Sequence, residues 1–163
     1  NNVSADNSRG LFIYDVEYVT LRNNLIVNNR VGVHLAAGST RNVVEGNDFI
    51  GNREPVRYVG ARDERWGTES GNHWSNYLGW DRDNNQRGDT PFEANDPVAR
   101  LRWHHPLMSL LLGSPAVQAL RVVGQQFPVL RVPSVVDAHP RMRPSHPQWA
   151  LWRTQLNRAQ DAR

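Results

Sequence analysis

The chain has 163 residues, a formal net charge of +3 and no cysteine, which excludes disulfides, thiolate metal sites and cysteine nucleophiles within it. All 19 basic residues are arginines, and they are scattered among carboxylates instead of forming a basic stripe, which argues against a nucleic-acid partner. No apolar run reaches the ~18 residues of a membrane-spanning helix, and because the chain starts at Asn1 we expect residues upstream of it.

The first 62 residues carry an internal repeat. Gly10 and Gly32 are equivalent at a spacing of 22, and Asn24 and Asn47 at a spacing of 23. Short β-prone pieces lie between these positions, at 11–14, 18–21, 25–27, 31–35, 43–45, 48–50 and 56–59. Asn and Gly tolerate the left-handed backbone of sharp corners, and equivalent Asn side chains can pass hydrogen bonds between successive turns. The pattern predicts a parallel β-helix over 1–62, in preference to a β-sandwich, which would show hairpin signals.

A second region, residues 63–95, loses the repeat and gains large aromatic residues. These are Trp66, Trp74, Tyr77 and Trp80. The open end of a solenoid exposes apolar core and unpaired strand edges, so it requires a cover. We therefore expect the aromatic residues to cap the last turn, in preference to forming a ligand platform.

The same region contains an acidic loop with the spacing of a calcium site. Positions 1, 3, 5 and 9 of such a loop are filled by Asp81, Asp83, Asn85 and Asp89. Gln86 stands where the sharp turn requires glycine, and Phe92 stands where a bidentate glutamate belongs. Calcium is thus one interpretation; the one we favour is a turn whose side chains bond their own backbone.

A short motif, His-Pro-x-Met, occurs twice and holds the only two methionines of the chain. Its donors are His105 and Met108 in the first copy and His139 and Met142 in the second. Thioether and imidazole groups suit copper in its soft Cu(I) state, so these four residues are candidate copper ligands. The alternative is that both methionines fill gaps in packing.

The last region, residues 96–163, is rich in proline and partly apolar. Ser114 and Pro115 predict the start of a helix that extends to about Phe127, and a second short helix is predicted from residue 146 or 147. An apolar arm of this kind requires a surface to cover it, either the chain's own solenoid or a partner. We interpret it as a docking extension with partner-binding candidates Leu107, Leu110, Leu111, Leu112, Val117, Leu120 and Phe127.

Several segments together resemble the NosD family of β-helix proteins. Residues 71–81, with 88–92, are similar to the end-of-helix signature of that family. Residues 113–116, with Asp137, Pro140 and Met142, are similar to its tail. The resemblance spans nearly the whole chain and implies the C-terminal part of a right-handed parallel β-helix protein.

The resemblance implies a periplasmic accessory protein, not an enzyme. Such a protein sits on an ABC-type transporter with membrane and ATPase subunits and serves copper-site assembly in nitrous oxide reductase, with that reductase and a copper chaperone as further possible partners. The rival interpretation is a carbohydrate-binding or polysaccharide-degrading β-helix, which requires convergent carboxylates. Its candidates scatter over different corners of the repeat, at Asp15, Glu17, Glu45 and Asp48.

Overall fold

The chain is built almost wholly from short strands. The computed structural model describes residues 1–36, 38–58, 63–94, 135–149 and 154. The strands in these residues are β1 (Val3–Ala5), β2 (Arg9–Ile13), β3 (Thr20–Arg22), β4 (Leu25–Val27), β5 (Val31–Leu35), β6 (Val43–Glu45), β7 (Asp48–Ile50), β8 (Glu54–Tyr58), β9 (Arg65–Trp66), β10 (His73–Trp74), β11 (Phe92–Glu93) and β12 (Val136–Asp137). The predicted all-β class is therefore confirmed for this part of the chain.

The strands pair in a repeating parallel order. One sheet has the order β1-β4-β7-β10, a second β2-β5-β8 and a third β3-β6-β9. Within these three sheets, neighbouring strands are three places apart in the chain; for example, Ile26 of β4 lies beside Phe49 of β7. We call three consecutive strands a rung. Rungs stacked in this way are consistent with the predicted parallel β-helix, and they put equivalent residues of successive repeats in contact.

The corners between strands use left-handed backbone where the repeat predicts it. Asn23 and Gly46 are equivalent and have φ of 57° and 67°, and Asn28 and Gly51 have φ of 53° and 60°. A Cβ atom added to Gly46 would lie 2.7 Å from Oδ1 of Asn23. Glycine therefore suits this corner, because it adopts the left-handed turn without strain and leaves room for the Asn23 side chain.

Buried asparagines connect the rungs in a line that we call the Asn ladder. Asn24 donates from its backbone N and from Nδ2 to Oδ1 of Asn47, both at 3.0 Å. Asn47 donates in the same way to Oδ1 of Asn72, again at 3.0 Å. The predicted stacking of equivalent asparagines is thus confirmed, and each buried amide finds a partner one rung away.

Aromatic rings fill the last described rung. Trp74 is stacked between Phe49 and Phe92, with ring centroids 4.2 and 4.3 Å away, and Trp66 packs at 6.1 Å from it. Trp66 and Trp74 are buried, whereas the side chain of Trp80 is 61% exposed. Trp66, Trp74 and Phe92 therefore close the core, and the expectation that Trp80 shares in this packing is wrong.

The extension returns to the sheets after residue 134. Strands β11 and β12 pair antiparallel, with Phe92 opposite Asp137, and Ala94 N donates to Val135 O at 3.0 Å. The two ends of the intervening stretch thus lie side by side. The helix predicted from residue 115 falls outside the described residues, and the second predicted helix is represented only by helical backbone at Trp149 and Thr154. No helix among the described residues is long and apolar enough to cross a bilayer.

Candidate functional site

The predicted site residues divide into two groups. His105 and Met108 lie outside the described residues, as do the partner-binding candidates Leu107, Leu110, Leu111, Leu112, Val117, Leu120 and Phe127. The second copy of the His-Pro-x-Met motif is described, and it lies in residues 135–149, which we call the closing segment. The site can therefore be built from the closing segment and the strands it contacts.

The closing segment continues the Asn ladder with a carboxylate. Asp137 is fully buried, and its Oδ2 accepts hydrogen bonds from Asn72 N at 2.8 Å, Asn72 Nδ2 at 2.9 Å and Trp74 Nε1 at 3.0 Å. Its Oδ1 accepts from His139 N at 3.1 Å. Asp137 thus takes the place of the next asparagine, although it lies 65 residues after Asn72.

A second buried carboxylate, Asp48 of β7, holds the other end of the segment. Its Oδ1 accepts from Arg141 Nη2 at 2.8 Å and Ser145 N at 3.1 Å. Its Oδ2 accepts from His146 N at 2.9 Å and His146 Nδ1 at 2.6 Å. A charge buried this deeply is stable only with such a complete set of donors.

The middle of the closing segment lies between β10 and the acidic loop. Arg141 N donates to Asn72 O at 2.9 Å, and Met142 N donates to Gln86 O at 3.0 Å. Gly88 N donates to Pro140 O at 2.8 Å. The backbone therefore joins the second His-Pro-x-Met motif to the acidic loop. Within that motif His139 is exposed and Met142 half-buried.

The acidic loop directs its carboxylates at its own backbone. Asp81 accepts from Asn85 N at 3.0 Å and from Gln86 N at 2.7 Å, and Asp83 accepts from Asn85 N at 3.2 Å. Asp89 accepts from the backbone N of residue 82 at 2.9 Å. These are the contacts of the self-bonded turn, and no group of three His, Asp or Glu side chains suited to a metal ion occurs within the described ranges. Calcium binding stays a prediction.

His73 of β10 faces the closing segment. Its Nδ1 lies 3.0 Å from the carbonyl oxygen of Arg141. Burial lowers the pKa of His73 below the ordinary 6.5, and the hydrogen bond to Arg141 and the nearby Asp48 carboxylate offset this only in part. His73 is therefore neutral near pH 7, with an imidazole fixed by one hydrogen bond.

The four carboxylates of the carbohydrate interpretation do not share one environment. Asp15 and Glu17 are exposed, whereas Glu45 is buried beside Arg22, with which it forms an ion pair. Burial raises the pKa of Glu45, but the hydrogen bonds from Arg22 and from the backbone of Ser70 and Glu69 outweigh it, so the pKa lies below 4.5. Both carboxylate oxygens of Asp48 accept hydrogen bonds from the closing segment.

The sequence did not predict the contacts of Asp48, Asp137, Arg141 and His146, although His146 lies near the second His-Pro-x-Met motif as a supplementary copper candidate. The sequence predicts Asp48 only as a candidate acid on a rung, and Asp137 only as part of a family resemblance. Nothing in the local sequence marks Asp48 as buried, because strand alternation turns the residue beside the inward Phe49 to the outer face of the sheet. The partner itself, 93 residues away, carries no local signal.

Comparison with known proteins decides the family. Residues 1–79 match the model of the family described as periplasmic copper-binding protein (NosD). The chain is 46% identical over 142 residues to the probable ABC transporter binding protein NosD of Pseudomonas aeruginosa. This chain belongs to the NosD family.

A second NosD relative gives the same result. The probable ABC transporter binding protein NosD of Stutzerimonas stutzeri is 44% identical over 142 residues. Each alignment covers 86% of this chain but 33% of the relative, so the chain spans about a third of the length of the curated relatives it matches. Both relatives are named as binding proteins, which agrees with the expectation of an accessory protein.

Proposed function

We propose that this NosD-family chain belongs to a periplasmic accessory protein that docks on an ABC-type transporter and assists copper-site assembly in nitrous oxide reductase. The observation that carries the proposal is the match to a family described as periplasmic and copper-binding, together with relatives named as ABC transporter binding proteins. The body is a right-handed parallel β-helix, with rungs over 1–62, a capping region over 63–95 and a docking extension over 96–163.

Docking uses the apolar residues of the extension between positions 107 and 127, against the membrane and ATPase subunits. The surface rests on the sequence, since apolar residues rimmed by arginine are typical of interfaces. The pairing of β11 with β12 supports the assignment, because it holds together Ala94 and Val135, the described residues on either side of positions 95–134. A copper chaperone and the reductase are the further partners of the same process.

The cargo on this chain is copper, with Cu(I) bound by His105, Met108, His139 and Met142. Thioether and imidazole donors prefer Cu(I) over harder cations. Leucine at Met108 and Met142 keeps volume and apolar character but removes sulfur, so Cu(I) affinity is expected to fall while the thermal unfolding temperature stays the same. Unchanged affinity, measured by competition with a coloured Cu(I) chelator, would remove both residues from the site.

The docking proposal is tested by excision of residues 95–134, with Ala94 joined to Val135 through a short Gly/Ser linker. Truncation after residue 95 is unsuitable, because it also removes Asp137 and Arg141, which bond the last rungs. The excised protein is expected to keep its circular dichroism spectrum and to lose capture of the membrane subunit in a pull-down. Recovery of that subunit by the excised protein contradicts the proposal. A matched control is Leu78→Ser, since Leu78 is exposed outside the extension.

A further inference from the structure

One tryptophan of the capping region lies outside the core. Trp80 is 61% exposed, whereas Trp66 and Trp74 are buried. Its side chain borders a surface depression that is lined by Trp80, Arg82, Asp83, Asp89 and Thr90. None of these residues is a proposed copper ligand or docking residue. The depression therefore presents an aromatic ring and charged groups that neither the core nor the proposed function requires.

The loop that carries Trp80 is held by hydrogen bonds across its base. Tyr77 Oη donates to Thr90 O at 2.6 Å. Asp89 N donates to Trp80 O at 2.9 Å, and Oδ2 of Asp89 accepts from Arg82 N at 2.9 Å. A ligand that binds here does not have to order the loop, so less conformational entropy opposes binding.

The polar groups around the ring have unused hydrogen-bonding capacity. The guanidinium carbon of Arg82 lies 6.0 Å from the centroid of the Trp80 ring, and Arg82 forms no ion pair within the described ranges. Asp89 uses Oδ2 for its bond to Arg82 N, and Oδ1 accepts nothing from the part of the chain that the structure describes. The indole Nε1–H of Trp80 is a further donor. Donors and an acceptor thus surround one exposed aromatic ring.

The mixture of charges around the ring limits the class of ligand. An anion would be repelled by the carboxylates of Asp83 and Asp89. A cation would compete with Arg82, which already interacts with the ring of Trp80. A neutral pyranose avoids both conflicts, because its C–H face packs on an aromatic ring while its hydroxyl groups bond to a guanidinium and to carboxylates.

We propose that Trp80, Arg82 and Asp89 bind a neutral pyranose sugar, with the ring of Trp80 as the stacking platform. Sugar hydroxyl groups accept from Arg82 and donate to Oδ1 of Asp89. The inference goes beyond the proposed function, because it adds a ligand that takes no part in copper binding or docking. An open depression with few polar groups predicts a weak complex, with a dissociation constant in the millimolar range.

The test titrates the full chain with cellobiose, a neutral disaccharide of pyranose rings, and with mannitol, which has hydroxyl groups but no ring face. Nitrogen-15 spectra of the indole groups report binding, and the Trp80 resonance is assigned as the one that Trp80→Ala removes. We expect cellobiose to shift the Nε1–H resonance of Trp80 and to leave those of the buried Trp66 and Trp74 in place. Mannitol is expected to shift none of the three.

Substitutions separate stacking from hydrogen bonding. Trp80→Ala is expected to weaken cellobiose binding at least about 10-fold, and Trp80→Phe, which keeps an aromatic face, should weaken it less. Asp89→Asn keeps an oxygen for Arg82 N but places an amide donor where Oδ1 stands, so we expect about 5-fold weaker binding. The matched control is Leu78→Ser, because Leu78 is exposed but does not line the depression. It should bind cellobiose as the unchanged protein does.

Three results would overturn the inference in the unaltered chain and its variants. These are a Trp80 resonance that cellobiose does not move, equal affinity of Trp80→Ala and the unchanged protein, and mannitol binding as tight as that of cellobiose. Tighter binding of digalacturonic acid than of cellobiose would show that the depression takes anions, and it would also reject a neutral sugar.

A protein partner and the proposed function give different results again. If cellobiose does not bind and Trp80→Ala loses capture of the membrane subunit, the exposed ring docks a protein and the sugar site is rejected. If copper binding or docking fails while cellobiose still shifts the Trp80 resonance, the sugar site stands and only the proposed function is rejected.

Discussion

The rungs and the closing segment both bury polar groups, but they satisfy them in opposite ways. In the rungs, neutral amides repeat the same contact at each step of 22 to 25 residues, as Asn24 does with Asn47. Around the closing segment, the carboxylates of Asp137 and of Asp48 in β7 accept hydrogen bonds from residues 63 to 98 positions away, besides the local bond from His139 to Asp137. The comparison teaches that the polar contacts of the rungs are shared among equivalent residues, whereas the end of the stack depends on two single side chains.

The largest effect is expected from Asp48→Ala. The substitution leaves the guanidinium of Arg141 and the imidazole of His146 without their acceptor in a buried site. Removal of one partner from a buried ion pair costs about 3–5 kcal/mol, so the free energy of unfolding in urea should fall by about that amount. Glu69→Ala is the control, because Glu69 is 82% exposed, and it should change stability by less than about 0.5 kcal/mol. A loss below about 1 kcal/mol for Asp48→Ala would show that the contacts of the closing segment with Asp48 contribute little to the free energy of unfolding.

Asp137→Ala is expected to rank second. Asn72 and the indole of Trp74 lose their shared acceptor, and each unsatisfied buried donor costs about 1–3 kcal/mol, so we expect a loss of about 3 kcal/mol. Asp137→Asn keeps one oxygen at the ladder position and should lose less. Near-ultraviolet circular dichroism reports the packing of Trp74; equal losses for the two variants would contradict the role as a ladder acceptor.

A break inside the rungs is expected to cost less than either. Asn47→Ala removes the Oδ1 that accepts both bonds from Asn24 and the Nδ2 that donates to Asn72, and we expect a loss of about 2 kcal/mol. Asn7→Ala is the matched control, since Asn7 is exposed and its side-chain bond to Ser4 is long, at 3.4 Å. Its cost should be below about 0.5 kcal/mol. If both substitutions cost the same in urea unfolding, the buried ladder is not what stabilises the rungs.

The smallest effect is a pH dependence from Glu45. Its pKa is lowered in the folded chain, so its contribution is present above the ordinary value of 4.5 and is lost as the pH falls through the lower folded value. The thermal unfolding temperature of the unchanged protein should therefore decline from about pH 5 downward. Glu45→Gln should flatten that decline, and identical curves for both proteins would show that Glu45 does not contribute to it.

Much of the rung region was predictable because its physics is local and repeated. The spacing of Gly10 and Gly32 and of Asn24 and Asn47 indicated the stacking, and the left-handed corners at Asn23 and Gly46 followed from residue type. The acidic loop was predictable for the same reason, since Asp81 and Asp83 bond to residues within five positions of themselves. Trp80 was placed wrongly in the cap because aromatic character alone does not say which side of a loop is buried.

The sequence by itself determined the parallel all-β architecture, its repeat length and the residues of its corners, since each depends on contacts that recur at a fixed spacing. Only the tertiary structure decided that Asp137 continues the Asn ladder and that Asp48 holds Arg141 and His146. These contacts join parts of the chain separated by 63 to 98 residues and occur once each. A contact that occurs once produces no periodicity in the sequence, so it can be recognised only in the folded structure.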